Sequence, residues 1–334
     1  MLHRRGALLL LGALSAAAQT TLSGAGATFP APLYDKWFRA FEQRYPDWRV
    51  HYDAVGSEAG IHAFRQGATD FAASDMPLDD RELSALGRPV LQFPTTIGAV
   101  VPIYHLEGVA ADLRFTPESL AGIFLGRIRR WNDPALQSAN RGVRLPNHEI
   151  AVVHRSDGSG TTYIFTDYLA KVSPEWKTIG AGTTVSWPVG AGAGQNEGVA
   201  EAVQRTPYSI GYVEFIYALQ NHLSYGSVRN PAGHFVHADL DTIPAAAADC
   251  ASTMPPHFQL SITAAPGRNS YPISGFTYLL ISAHTGNQEK DRLLRALLDW
   301  VLSSGQRQSA ALGYGSLPAE IITRVQQALA SGGQ

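Results

Sequence analysis

Residues 150–171, IAVVHRSDGSGTTYIFTDYLAK, pass from an apolar β-branched stretch through a loop of glycine, serine and threonine into a helical pattern. The first five residues predict a buried strand, and residues 162–171 predict a helix. Strand, small-residue loop and helix are the repeating unit of an α/β protein, and the same alternation recurs on both sides. Upstream, residues 32–44 carry Leu33, Trp37, Phe38 and Phe41 at helical spacing. Residues 48–55 and 69–74 predict strands, and residues 57–66 predict a short helix capped by Ser57. Residues 95–104 are apolar and β-branched, the signature of a buried strand. Thr116-Pro117-Glu118 opens a helix running to about Leu125, with a hydroxyl cap, a proline in the first turn and an acidic neighbour. Downstream, residues 196–205, 288–303 and 319–330 predict helices, with strands at 210–213 and 276–282. The expected fold class is therefore α/β with mainly parallel sheets.

The chain has 334 residues, of which 45% are hydrophobic and 16% charged, enough for a substantial core and about two domains. The net charge of -2 carries no basic excess, so general nucleic-acid binding is excluded as a reading. Arg4 and Arg5, the apolar run 7–14 and the small residues Ala16-Ala17-Ala18 follow the order of a secretory signal peptide, with cleavage expected after Ala18. The apolar run is too short for a membrane span, which takes roughly 20 residues. No cysteine stands near the cut, so an N-terminal lipid anchor on cysteine is not expected. Cys250 is the only cysteine, so an intramolecular disulfide cannot form, and its alanine-rich surroundings suit an incidental role.

Four segments place small residues or hydroxyls at strand ends or strand-to-helix junctions: residues 24–30 (GAGATFP), Gly56-Ser57, Ala73-Ser74-Asp75, and residues 155–161 (RSDGSGT). A helix N-terminus leaves backbone N–H groups unpaired and carries partial positive charge. Small residues let an anion approach that backbone, and Ser and Thr add hydroxyl donors. Together with Arg155 these junctions can build an oxyanion site. The loop 158–161 is neither a Walker A loop, since no Lys follows its second glycine, nor a nucleophile elbow of the form Gly-x-Ser-x-Gly.

With these segments in order, the chain resembles the periplasmic phosphate-binding subunit of the bacterial phosphate ABC transporter, the PstS family. The likeness is carried by residues 24–32 (GAGATFPAP), 73–78 (ASDMPL), 93–101 (FPTTIGAVV), 125–133 (LGRIRRWND), 151–161 (AVVHRSDGSGT) and 165–176 (FTDYLAKVSPEW). It continues through WPVG at 187–190, IGYVE at 210–214 and SLP at 316–318, and is weakest over residues 223–266. The resemblance implies a type II periplasmic-binding-protein fold, two α/β lobes joined by two hinge crossings. Residues 19–94 plus 271–334 would form lobe I and residues 95–270 lobe II, with hinges near Thr95 and Arg268. It implies phosphate-binding roles for Thr28, Phe29, Ser57, Asp75, Arg155, Ser159, Gly160 and Thr161, with Asp157 supporting the arginine. It also implies a monomer without cofactor, periplasmic or otherwise extracytoplasmic, which delivers phosphate to a membrane permease and performs no catalysis.

Asp75 has a physical logic of its own. A carboxylate beside an anion repels it unless the anion still carries a proton to donate, as phosphate does near neutral pH and sulfate does not. Glu58, beside Ser57, is expected at the first helical position and pointing outward. Ser159 with His154 would make a secreted serine hydrolase or a phosphatase, but no convincing nucleophile–base pair is visible. Another tetrahedral oxyanion, sulfate or molybdate, is opposed by Asp75. His234, His237, Asp239 and Asp241 match no firm metal motif and read as a solvated loop. The run Gly190–Gly194 reads as a connector or a phosphate cradle before Asn196 as a helix cap. The six tryptophans read as core or interlobe packing.

Overall fold

The structure, a computed structural model, describes residues 19–109 and 112–331 of the chain. The expected leader, residues 1–18, lies outside them. The first elements are β1 (Thr20–Gly26), α1 (Ala31–Arg44), β2 (Trp48–Ala54), α2 (Ser57–Arg65), β3 (Phe71–Ser74) and α3 (Asp80–Ser84). The 16-residue strand β4 (Val90–His105) follows, then β5 (Arg114–Phe115), α4 (Pro117–Phe124), α5 (Pro134–Ala139), β6 (Ala151–Arg155), α6 (Gly160–Val172) and α7 (Trp176–Ile179). Next come β7 (Ala191–Ala193), α8 (Gln195–Arg205), β8 (Ser209–Glu214), α9 (Phe215–Gln220), β9 (Ser224–Tyr225), β10 (Ser227–Arg229), β11 (Phe235–Val236) and α10 (Thr242–Cys250). The chain ends with β12 (Ser274–Ser282), α11 (Gln288–Trp300), α12 (Gln306–Ser309) and α13 (Ala319–Ser331).

The strands line up as β2-β1-β3-β12-β4-β8-β6-β7, with β9 also on β4. The two flanks are parallel: β1 with β2 and β3, and β6 with β7 and β8. The centre is antiparallel, because β12 pairs antiparallel with both β3 and β4, and β4 antiparallel with β8. This corrects the expectation of mainly parallel sheets. Short crossover helices enforce parallel pairing, and the two long central strands are not joined to their neighbours by such units.

β4 divides the molecule. Its first part, Val90 to Ala99, pairs with β12, and its second part, Val100 to His105, pairs with β8. One strand thus runs from one half into the other and is buried almost throughout. A run buried on both faces reads as continuously apolar, which is why residues 95–104 stood out in the sequence. The aromatic residues anchor each half: Trp37 Nε1 donates to Gly305 O at 2.8 Å, and Trp131 Nε1 to Tyr208 O at 2.9 Å. Trp187 stacks on Tyr212 and His154.

Where the family likeness is weakest, the chain builds α10 and the small sheet β11-β10-β5. It then lays a strap against elements far apart in sequence. Arg324 of α13 donates to the carbonyls of Met254 and Pro255, Tyr278 of β12 to Leu260 O, and Lys171 of α6 to Ser261 Oγ. In the same region Asp239 accepts from the backbone N–H of Asp241 and Thr242, so that carboxylate is held within the turn that leads into α10.

Candidate functional site

Asp75 follows directly on β3, and its side chain is buried against the start of α6. Oδ1 accepts from Thr277 Oγ1 of β12 at 2.6 Å. Oδ2 is buried and has no hydrogen-bond partner. Burial pushes the Asp75 carboxyl up to about 7, against the opposing effects of the Thr277 hydroxyl and the Arg155 charge. Arg155 ends β6 and is 3% exposed. Its Nε and Nη2 donate to Asp157 Oδ1 and Oδ2 at 2.8 and 2.5 Å, a bidentate fork, while Nη1 is buried without a partner. Burial tends to raise the Asp157 carboxyl, but the Arg155 fork and the Gln195 N–H together hold it below the usual carboxylate range. Asp75 Oδ2 and Arg155 Nη1 thus stand as a buried acceptor and a buried cationic donor, each without a partner.

The start of α6 is the third component. Ser159 is its N-cap, with Oγ accepting from Thr162 N at 3.1 Å, and Gly160 and Thr161 form the first turn. The helix begins two residues earlier than the sequence pattern placed it, so Gly160 is helical. Its N–H donates to Ser57 Oγ of α2 at 3.1 Å, and Asp75 N approaches the same oxygen at 3.4 Å. Ser57 is not the cap of α2, as the sequence suggested. Gly56 is, at φ 99° and ψ 151°, a conformation that strains any residue with a Cβ. The serine hydroxyl is thereby released from capping and turned toward α6.

Thr28 and Phe29 lie between β1 and α1. Tyr52 OH donates to Ala27 O at 2.8 Å, and Tyr217 OH to Thr28 O at 2.7 Å. In a trans peptide the N–H points opposite to the carbonyl, and no cis bond occurs among the described residues. The two tyrosines therefore fix the directions of the Thr28 and Phe29 N–H groups. Tyr314 OH adds a bond to Phe29 O at 2.5 Å. The Thr28 and Thr161 hydroxyls meet at one side chain, Asn196 of α8, whose Nδ2 donates to them at 2.8 and 3.2 Å. Contacts between the two halves include Gln195 Nε2 to Ala54 O at 3.0 Å and Glu58 N to Gly158 O at 3.3 Å. The two halves are closed on each other.

The comparisons with known proteins agree with this architecture. A PBP superfamily domain matches residues 12–304. The phosphate-binding protein PstS of Pasteurella multocida is 42% identical over 316 residues, covering 94% of this chain and 91% of that protein. PstS of Xylella fastidiosa (strain Temecula1) is 41% identical over 312 residues, covering 93% and 85%. This chain belongs to the PstS family. A high-affinity periplasmic phosphate-binding protein (PfluDING), solved with phosphate bound, superposes with a TM-score of 0.76 at 24% identity, covering 92% of this chain and 93% of that one. The fold is the type II periplasmic-binding arrangement of two α/β lobes, with β4 and β12 side by side where the lobes join.

Within this PstS-family fold, Ser57 and Asp75 meet the start of α6 at Gly160, Thr28 and Thr161 meet at Asn196, Phe29 follows Thr28, Ser159 caps α6, and Arg155 is paired with Asp157. Three further residues there were not anticipated as site residues. Thr277 holds Asp75. Asn196, read from the sequence as a helix cap, is the second residue of α8, whose cap is Gly194. Glu214 is fully buried with Oε2 accepting from Ile216 N at 2.7 Å; burial pushes its carboxyl well above the usual range, the Ile216 N–H opposes this, and the nearby Asp75 reinforces it. The run Gly190–Gly194 is neither connector nor cradle: Ala191–Ala193 forms β7 beside β6. Glu58 stands at the second, not the first, position of α2. It is exposed as expected, and its Oε2 accepts from Thr183 and Thr184 hydroxyls of the other half at 3.4 Å. His154 and Ser159 share no hydrogen bond: the histidine lies flat on Trp187 with Nδ1 at Arg155 O, and the serine caps α6.

Proposed function

We propose that this protein captures inorganic phosphate in the cleft between its lobes and delivers it to the membrane permease of a phosphate ABC transporter. The observation that carries the reading is the pair of buried atoms without partners, Asp75 Oδ2 and Arg155 Nη1. Leaving such groups unpaired costs about 1–3 kcal/mol each, and more when charged. A tetrahedral oxyanion that keeps a proton satisfies both at once, accepting from the guanidinium and donating to the carboxylate. Thr28, Phe29, Ser57, Ser159 and Thr161 supply the remaining donors from hydroxyls and backbone N–H groups at three helix starts, and Gly160 adds its N–H when that group turns from Ser57 Oγ to the ligand. The relatives' names, phosphate-binding protein in each case, support the same ligand.

In this reading residues 19–94 and 271–331 act as one lobe and residues 95–270 as the other, although the strap at residues 254–260 packs against the first. The ligand bridges them, since Ser57 and Asp75 stand on one side and Arg155 to Thr161 on the other. Closure follows from contacts available only when both sides meet the anion. The protein works as an exported monomer without cofactor, and it binds rather than transforms its ligand. Among the described residues no helix is long and apolar enough to cross a membrane. Calorimetry of residues 19–334 at pH 8 with phosphate, arsenate and sulfate tests the proposal. Phosphate and arsenate are expected to bind and sulfate to be excluded; tight sulfate binding, or none of phosphate, refutes it.

A further inference from the structure

We infer that Asn196 is a positioning residue for anion binding: it forces the Thr28 and Thr161 hydroxyls to act as donors toward the cleft. The inference rests on the phosphate reading above. Asn196 is fully buried, and its amide has only one possible orientation. Oδ1 faces the backbone N–H of Glu214 at 2.9 Å, a group that can only donate. Nδ2 must therefore face the two threonines, and it donates to Thr28 Oγ1 at 2.8 Å and to Thr161 Oγ1 at 3.2 Å.

A hydroxyl has one hydrogen and two acceptor sites. Each threonine oxygen receives an N–H from Asn196, so neither hydroxyl hydrogen can point back at that nitrogen. Neither hydroxyl donates to any other group among the described residues. Both hydrogens are left for a ligand, one from the segment before α1 and the other from the first turn of α6. A hydroxyl free to rotate would offer lone pairs as readily as a hydrogen. One held this way offers an anion the hydrogen and stays preorganised for it. The same side chain ties the two lobes' donors to β8 through Glu214 N, so their spacing is set by the backbone pairing of β8 with β4.

The test is a double-mutant cycle on phosphate affinity, measured at pH 8 by calorimetry, or by equilibrium dialysis at high protein concentration where binding is weak. Asn196→Ala is combined with Thr28→Val and, separately, with Thr161→Val. Asn196→Asp is carried through the same cycles because it keeps the shape and the acceptor for Glu214 N–H should the alanine variant fail to fold. Each Asn196 substitution is expected to raise the phosphate Kd roughly tenfold to a hundredfold in the wild-type background. In either valine background the same substitution is expected to cost clearly less, because the hydroxyl it orients is already gone. Losses of equal size in all backgrounds mean that Asn196 only supports the fold, and overturn the inference while leaving phosphate binding intact. Absence of phosphate binding by the wild-type protein overturns the functional reading and this inference with it.

Discussion

Gly160→Ala separates closure of the cleft from stability of the fold. Gly160 opens α6 with its Cα against the opposite lobe. A Cβ built there lies 2.4 Å from Asp75 Oδ2, 2.5 Å from Ser57 Oγ and 2.6 Å from Asp75 Cβ. Ordinary contacts begin near 3.4 Å, so the shortfall is about an ångström at three atoms at once. Asp75 cannot swing aside without breaking its bond to Thr277, and Ser57 sits in the first turn of α2. The cheapest relief is for the lobes to stay apart by about that distance. The Gly160 N–H to Ser57 contact then exceeds hydrogen-bond range, and the anion loses its grip on one lobe.

Forfeiting one or two bonds to a charged ligand at about 1.5–3 kcal/mol each predicts a loss of roughly 2–6 kcal/mol, or about thirtyfold to 10⁴-fold in Kd. The open form is not strained by the methyl group, and alanine in a helix is favoured over glycine by up to about 1 kcal/mol. The thermal midpoint without ligand should therefore hold or rise slightly, while the upward shift given by phosphate should shrink or vanish. Calorimetry and a thermal scan of the same preparation read both quantities. A Gly160→Ala protein that binds phosphate within about threefold of wild type would refute the reasoning, because the observed closure would then not be what holds the ligand.

Two further substitutions follow from the charges. Asp75, raised to about 7, carries a proton below that pH and can donate to any oxyanion; above it the carboxylate can only accept. Sulfate exclusion should accordingly be strict at pH 8 and relax toward pH 5, and in Asp75→Asn it should be weak and flat across that range, as competition against bound phosphate would show. The same raised value means that the folded state holds a proton the unfolded chain has released. Stability without ligand should fall as pH rises from about 4 to about 7 and then level, with a maximum slope from this group of about 1.4 kcal/mol per pH unit, and Asp75→Asn should flatten the curve in denaturant titrations. Arg155→Lys keeps the charge but not the fork, so Asp157 and the ligand can no longer be held together; phosphate affinity should drop at least about a hundredfold in calorimetry, and ligand-free stability should fall as well because a buried fork is lost.

Much of this was legible because the informative residues are neighbours in sequence. Arg155 and Asp157 are two apart on a strand end, and Ser159 to Thr161 begin the next helix, so one loop declares half of the site. Thr277 and Asn196 were not legible: the one reaches Asp75 from 202 positions away and the other reaches Thr28 from 168, and neither carries a local signal beyond a polar residue in a strand or helix start. Ser57 was misread as a cap because serine favours that place, whereas the backbone turn demands Gly56 there. Ala191–Ala193 was misread because glycine and alanine weaken strand propensity. Pairing with β6 outweighs it, and the adjacent Gln195 N–H is held by Asp157 at 3.0 Å.

In the proposed reading, the balance of charge in the cleft would account for selectivity better than the presence of an arginine would. Arg155 alone would attract any oxyanion, sulfate as readily as phosphate. Here its charge is already met by Asp157 through two bonds, and Asp75 adds a second carboxylate close by, so the site has no positive excess with which to pull an anion in. Affinity must then come from directed hydrogen bonds: one guanidinium N–H, the hydroxyls aligned by Asn196, and N–H groups whose directions are fixed by tyrosines on the neighbouring carbonyls. Such bonds depend on which atoms carry hydrogen, not on total charge. Sulfate and phosphate share a tetrahedral shape and differ in protonation, and a cleft that is electrostatically balanced but rich in oriented donors, with one carboxylate demanding a hydrogen in return, is the arrangement in which that single difference decides binding.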